Sequence, residues 1–163
     1  MLKNTGVPNK DELAPAFPSE ERMKEGPVAI IECFQNIPCN PCATSCPRDA
    51  IRDFVDINDL PVFVAEDCNG CALCVANCPG LAIFVVDETC SATETLVKLP
   101  YEFKPLPAQG EIVDAVDRAG ETVGVGRVQR VQNPKSFDRT AVVWVVVPRA
   151  LGRDVRFIRR KEA

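Results

Sequence analysis

The chain has 163 residues, nine of them cysteine and none histidine, and carries a formal charge of −4. Without histidine there is no Ser-His-Asp or Cys-His catalysis, no Rieske-type ligation, no histidine-containing zinc site and no axial histidine for haem. The length allows one ordinary domain or two small ones, and its chemistry rests on cysteine.

The charge is unevenly spread. Residues 1–26 hold 5 acidic and 4 basic side chains, residues 27–104 hold 11 and 4, and residues 105–163 hold 7 and 11. The basic end lacks the interleaved aromatics of a nucleic-acid surface and reads as a subunit interface or a solvated strand face. The start, Met1 to Thr5, has no apolar stretch followed by a cleavage site, so no signal peptide is expected. No apolar run reaches the roughly 18–20 residues that span a bilayer. A soluble, cytoplasmic protein is expected, in which thiols stay reduced and free to bind metal rather than forming a disulfide framework.

Residues 1–26 read as an extended arm broken by Pro8, Pro15 and Pro18. Ser19 followed by Glu20 and Glu21 predicts a short capped helix. The arm has too little apolar surface to fold alone and is expected to be disordered or draped over a partner. Residues 28–31 form a buried-strand pattern that runs into Cys33 and the loop Cys39-Asn40-Pro41-Cys42-Ala43-Thr44-Ser45-Cys46-Pro47. A short helix and the segment 50–54 follow. Residues 61–65 predict another strand, which leads into Cys68-Asn69-Gly70-Cys71-Ala72-Leu73-Cys74-Val75-Ala76-Asn77-Cys78-Pro79 and then a strand over 80–86. The order of strand, cysteine loop, short helix and strand thus occurs twice, as an internal repeat. It is plainest in Cys46-Pro47-Arg48-Asp49-Ala50-Ile51 against Cys78-Pro79-Gly80-Leu81-Ala82-Ile83.

Residues 95–99 predict a further strand, and 100–110, with Pro100, Pro105 and Pro107, a linker. Four short strands are then expected at 111–116, 122–131, 140–147 and 155–158, separated by turn signals. They would make a small β domain over 111–163, too small to be very stable alone and expected to dock on the cysteine-rich part or on another subunit.

Thiolate sulfur is a soft ligand that binds iron once deprotonated. In the spacing C-x2-C-x2-C-x3-C-P, three cysteines of one loop converge on one cluster, and the fourth, before the proline, reaches the other. At these residues, over roughly 27–99, the chain resembles the bacterial two-4Fe–4S ferredoxin-like family. The resemblance implies an α+β fold: a ferredoxin-like two-cluster domain with an internal repeat, followed here by a small all-β C-terminal extension. It implies two 4Fe–4S clusters, one held by Cys68, Cys71 and Cys74 with Cys46, the other by Cys39 and Cys42 with Cys78. Where the family has a further cysteine, three before Cys39, this chain has Asn36. Cys33 is the substitute, through a loop longer by three residues.

Other readings stay open. The first cluster is a three-iron form, or Asn36 or an external group sits at its unique iron, or Cys33 only packs as a small hydrophobe. Cys90 fits no loop and reads as structural. Eight cysteines would also suffice for two zinc ions, against which stand the doubled Cys-Pro and the strand repeat around it. Backbone N–H donors to the clusters would raise their potential and the neighbouring acids Asp67, Glu66 and Glu32 would lower it. Ile30, Ile37, Ile51, Val64, Leu73, Leu81 and Ile83 are candidates for a dry shell.

The stretch from Ile30 to Cys42 also looks like the ferredoxin-type small subunits of multisubunit FAD-dependent amino-acid dehydrogenases of the proline or opine kind. That resemblance implies flavoprotein partners in a hetero-oligomer. The chain has no G-x-G-x-x-G and no P-loop motif, so FAD would belong only to a partner subunit. The expected function is a non-catalytic, electron-transfer iron–sulfur subunit of an oxidoreductase, relaying single electrons between a flavin-bearing partner and an acceptor. The alternatives are a free soluble low-potential ferredoxin carrier and, with less to support it, a cluster-based sensor or assembly factor.

Overall fold

The computed structural model describes residues 2–161. Among the described residues there are five short α-helices: α1 (Leu2–Thr5), α2 (Lys10–Leu13), α3 (Glu20–Met23), α4 (Pro41–Thr44) and α5 (Leu73–Asn77). Seven strands accompany them: β1 (Val28–Ile31), β2 (Ile83–Asp87), β3 (Glu94–Tyr101), β4 (Ile112–Val116), β5 (Thr122–Gln132), β6 (Ala141–Pro148) and β7 (Phe157–Arg160). All seven pair antiparallel in one sheet of order β1-β2-β3-β6-β5-β4-β7.

This sheet overturns the expected fold class. The chain is not an α+β ferredoxin-like two-cluster domain trailed by a small all-β extension. Strand β3, from the cysteine-rich half, pairs with β6 from the C-terminal half along its whole length, from Glu94↔Pro148 to Tyr101↔Ala141. The physical reason lies in two apolar runs. Seven of the eight residues of β3 are buried, and the Val-Val-Trp-Val-Val-Val stretch of β6 is covered on both faces. A strand apolar on both faces is unsuited to an exposed edge and needs neighbours on either side. Each run supplies the other's neighbour, so one sheet results.

The internal repeat is also only partly realised in strands. Strands β1 and β2 pair from Val28↔Val86 to Ile31↔Ile83. The strands expected at 50–54 and 61–65 shrink to a single bridge between Ile51 and Phe63. Backbone bonds Arg52 N–H to Val62 O (2.9 Å) and Val64 N–H to Ala50 O (2.8 Å) hold it. Asp53, Asp56 and Asp59 favour a solvated turn between them.

Alternation across the sheet separates two cores. Ile83, Val85, Val142 and Trp144 face the layer of α4 and α5, with Cys42, Cys74 and Val75. Phe84, Val97, Val143 and Val145 face the opposite core, with Val113, Val128 and Ile158. The end of the N-terminal arm packs on its own chain. Ser19 caps α3, its Oγ accepting from Arg22 N–H at 3.2 Å. Met23 is fully buried with Val28, Ile30 and Val86. Arg153 clamps the arm further, bonding Glu20 and Glu88 at 2.6 Å each. Among the described residues, no helix is long and apolar enough to cross a membrane.

A buried charge cluster locks the C-terminal strands to the end of β1. The Glu32 carboxylate accepts from Arg118 Nε (2.8 Å) and Nη2 (2.6 Å), and from Arg156 Nε (2.7 Å). Burial pushes the Glu32 carboxyl up, but Arg118 and Arg156 together hold it below its ordinary value of 4.5. A depressed carboxylate contributes stability above that value and loses it as pH falls through the lower folded one. Glu32→Gln would leave two guanidinium groups buried without their counter-charge, at a cost of about 3–5 kcal/mol at neutral pH. Urea unfolding at pH 7 should show this loss, and it should shrink when the comparison is repeated below pH 4.5. Equal midpoints at pH 7 would show that the cluster is not a lock.

Candidate metal centre

The cysteine loops owe their shape to a few backbone features. Helix α4 opens with Pro41 at its first position, where a fixed φ favours the turn and no N–H is lost. It places Cys42 on the buried side. Helix α5 follows Ala72, which is left-handed at φ 69°, and buries Cys74. Beyond each helix the Cys-Pro turn is the same. Asp49 and Leu81 both take φ 51°, and their N–H groups donate to Cys46 O (3.3 Å) and Cys78 O (3.1 Å). The repeat therefore survives in these turns although its strands are unequal.

The eight loop cysteines line two hollows. Cys33, Cys39, Cys42 and Cys78 line one, with a volume of about 270 Å³. Cys46, Cys68, Cys71 and Cys74 line the other, a tight space of about 20 Å³. Each hollow thus takes three cysteines from one segment and one from beyond the other segment's helix. Asn36 turns elsewhere, its Nδ2 donating to Asn58 O at 2.9 Å. Cys90 is exposed, and its Sγ donates to Glu94 O at 3.3 Å, apart from both hollows.

Among the described residues, no three cysteine, aspartate or glutamate side chains converge tightly enough to hold a single metal ion. A structural zinc site needs four thiolates at about 2.3 Å from one ion. The present sulfurs rim a space instead. Four soft sulfur donors around a mainly apolar hollow are the donor set of an iron–sulfur cluster, so the residues fit such a group. Burial pushes the Cys42 thiol up to about 11, and the neighbouring Cys78, Cys39 and Cys33 add to it. Burial likewise pushes Cys74 up to about 12, with Cys68, Cys71 and Cys46 contributing. These thiols stay protonated at neutral pH until a thiophilic cation displaces the protons. Gly70 N–H lies 3.4 Å from Cys68 Sγ and Ala82 N–H 3.4 Å from Cys78 Sγ, donors that would favour the deprotonated sulfurs.

Two cations that the sequence reading passed over organise the second loop. Lys98, buried in β3, donates to Gly70 O at 2.7 Å and lies 4.0 Å above the Trp144 ring. Trp144 is held in turn by Nε1 donating to Gln132 Oε1 at 2.8 Å. Arg22 of the arm donates to Cys68 O (2.7 Å), Ala65 O (2.8 Å) and Pro27 O (3.1 Å). Burial pushes the Lys98 ammonium below its ordinary value, while the nearby Asp87, Cys71 and Cys68 oppose that shift. A lysine inside the run Thr95-Leu96-Val97-Lys98-Leu99 was the available signal, because a buried charge demands a polar partner. The acids near the loops are partly offset: Glu32 by its two arginines, Asp67 by Arg52 at 2.7 Å.

No family model matches the chain, and no solved structure matches it.

Gly70 is the most constrained position of the second loop. It takes φ +67°, and a Cβ there would lie 2.6 Å from Pro27 Cβ. Gly70→Ala should cost at least the roughly 1–2 kcal/mol of a left-handed alanine, plus the displacement of Pro27. The expected outcome is a lower melting temperature and faster labelling of Cys68, Cys71 and Cys74 by a thiol reagent. Unchanged labelling would show that the loop does not depend on this close approach.

Proposed function

We propose that the protein is a non-catalytic iron–sulfur electron-transfer subunit of a cytoplasmic oxidoreductase. The observation that carries this reading is the sorting of eight cysteines into two sets of four around two hollows in one packed layer. Two 4Fe–4S clusters are the cofactors proposed, held by Cys33, Cys39, Cys42 and Cys78 and by Cys46, Cys68, Cys71 and Cys74. When bound, such clusters accept and release single electrons.

The chain's own residues supply the setting. The cysteines give up protons to become ligands. Ala29, Ile51, Phe63 and Val85 wall the second hollow, and Ile31, Phe54 and Ile83 the first, placing apolar surface beside the sulfurs. Lys98 and Arg22 fix the carbonyls of the second loop, and the Lys98 charge favours an added electron nearby. Substrate chemistry and FAD are assigned to a partner subunit, as the likeness of residues 30–42 to dehydrogenase small subunits suggests.

The free-carrier reading also has support. The arm and the C-terminal strands complete the protein's own core, so neither needs a partner to explain it. The acidic stretch 27–104 would steer a diffusing carrier to basic surfaces, with rates falling as salt rises.

Anaerobic native mass spectrometry of the protein drawn from its own cells separates the two. Two cubanes with flavin-bearing partners attached is the result expected of the subunit. Two cubanes on a lone chain would make it a carrier, and a chain without iron would end both readings. The ligand sets have a separate check. Cys33→Ser should lose or alter only the iron of the first hollow, while Cys90→Ser leaves iron and sulfide content unchanged. Electron paramagnetic resonance in which every iron signal survives Cys33→Ser would remove Cys33 from the ligand set.

A further inference from the structure

Large apolar side chains left in water are concentrated at one place. Among the described residues, five of the eight exposed large hydrophobics fall between Ile37 and Val62. They are Ile37, Val55, Ile57, Leu60 and Val62, and Val55 is fully exposed. Exposed large apolar side chains concentrated in one short segment point to an interaction site, since large apolar patches on a surface mark such sites.

This segment is held in place rather than loose. Cys39 N–H donates to Ile57 O at 3.1 Å, and Asn36 Nδ2 to Asn58 O at 2.9 Å. The turn between is closed by Asp56 N–H to Asp59 Oδ2 (3.1 Å) and Asn58 N–H to Asp56 Oδ1 (2.9 Å). The loop is therefore tied to the cysteine segment that lines the first hollow, and Ile37, Asp59 and Pro61 line that hollow themselves. Preorganised surface binds with less ordering cost than a flexible loop would.

The charges of the loop itself, from Asp53 to Glu66, are of one sign. Asp53, Asp56, Asp59 and Glu66 enter no ion pair among the described residues, whereas Arg52, the cation of this stretch, is taken by Asp67. An apolar centre inside an acidic rim disfavours a second copy of the same face, which would oppose like charges, and disfavours an anionic lipid surface for the same reason. It suits a partner with an apolar centre and a basic rim. Placed beside the first hollow, such a partner would bring its own redox centre near the four cysteines there.

We propose that the loop 53–62 with Ile37 is the docking face for a basic-rimmed redox protein that exchanges electrons through the first hollow. This rests on the electron-transfer reading above and names the side of the molecule that a partner uses. Each encounter moves one electron: the iron–sulfur protein is oxidised by one electron and the partner is reduced by one, with no bond made or broken on this chain.

The test uses the full chain, loaded with iron and sulfide, reduced anaerobically with dithionite and freed of excess reductant. Cytochrome c, a small basic haem protein, serves as the probe acceptor, and a small neutral quinone as an acceptor that needs no docking. Val55→Ser with Val62→Ser should slow the second-order reaction with cytochrome c at least about threefold and leave the quinone reaction unchanged. Asp53→Asn with Glu66→Gln, chosen because neither side chain holds the turn, should flatten the dependence of the cytochrome c rate on ionic strength. A redox-active protein whose cytochrome c rates are untouched by both pairs overturns the docking face and leaves the electron-transfer reading standing. A chain that takes up no reducible iron overturns that reading and the docking face with it. Equal slowing with both acceptors would show damage to the cluster site rather than to docking, and would also overturn the proposal.

Discussion

Strand β3 has a neighbour on each side and side chains buried on both faces, and the rest of the protein is arranged to satisfy that burial. Its pairing with β6 supplies one edge and β2 the other. One face is covered by the opposite core of Val113, Val128, Val143 and Ile158, and the other by the layer that carries the cysteines. The thiols are not held by a small domain with a β appendage. They sit on a sheet whose C-terminal strands are half of its own support. Truncating those strands would expose an apolar edge directly beneath the cysteine layer, where unpaired backbone invites aggregation.

Charge also joins the two halves. Glu32 stands one residue before Cys33, yet its partners come from beyond β4 and from just before β7. Lys98 crosses from the sheet to the carbonyl of Gly70, and Arg22 reaches from the arm to the carbonyls around Cys68. Each joins a cysteine segment to a distant part of the chain. Buried ions of this kind add little net stability, because desolvation offsets attraction, but a misplaced partner is costly. They therefore act chiefly on register and loop position, and loop position decides where eight sulfurs end up.

The cysteine spacing made the grouping of eight cysteines into two sets readable, and periodicity made most strands readable. Val28–Ile31 and the four C-terminal strands lie close to where alternation places them, and Ser19 caps α3. What sequence could not show was the partner of each strand. An apolar run such as that of β6 announces burial on both faces but not against what, and a proline-containing stretch after Leu99 reads as a linker although Pro100 and Tyr101 continue β3. The repeat misled for a related reason. Its Cys-Pro turns recur faithfully, at Asp49 and Leu81, but equal turns do not enforce equal strands when three aspartates fill one of the connections. Lys98 and Arg22 were hidden because a long side chain finds its carbonyl through tertiary structure, and its neighbours in sequence carry no trace of the meeting.

The two hollows differ in a way that follows from this asymmetry. The second is closed in by Gly70 against Pro27, by Lys98 and by Arg22, and is tight. The first has a cysteine segment with three more residues than regular spacing needs, is bridged to an acidic turn, and is far wider. The second is tied to sheet, arm and cations, whereas the first is bordered by the apolar loop as well as by Leu2 and Gly6 of the arm. If electrons pass through both, the wide hollow is the one bordered by the apolar loop, and the tight one is set by the protein's own charges, with Cys71 at its exposed edge. The longer loop around Cys33, which at first is only an irregularity in a motif, is then the feature that gives the two sites different tasks.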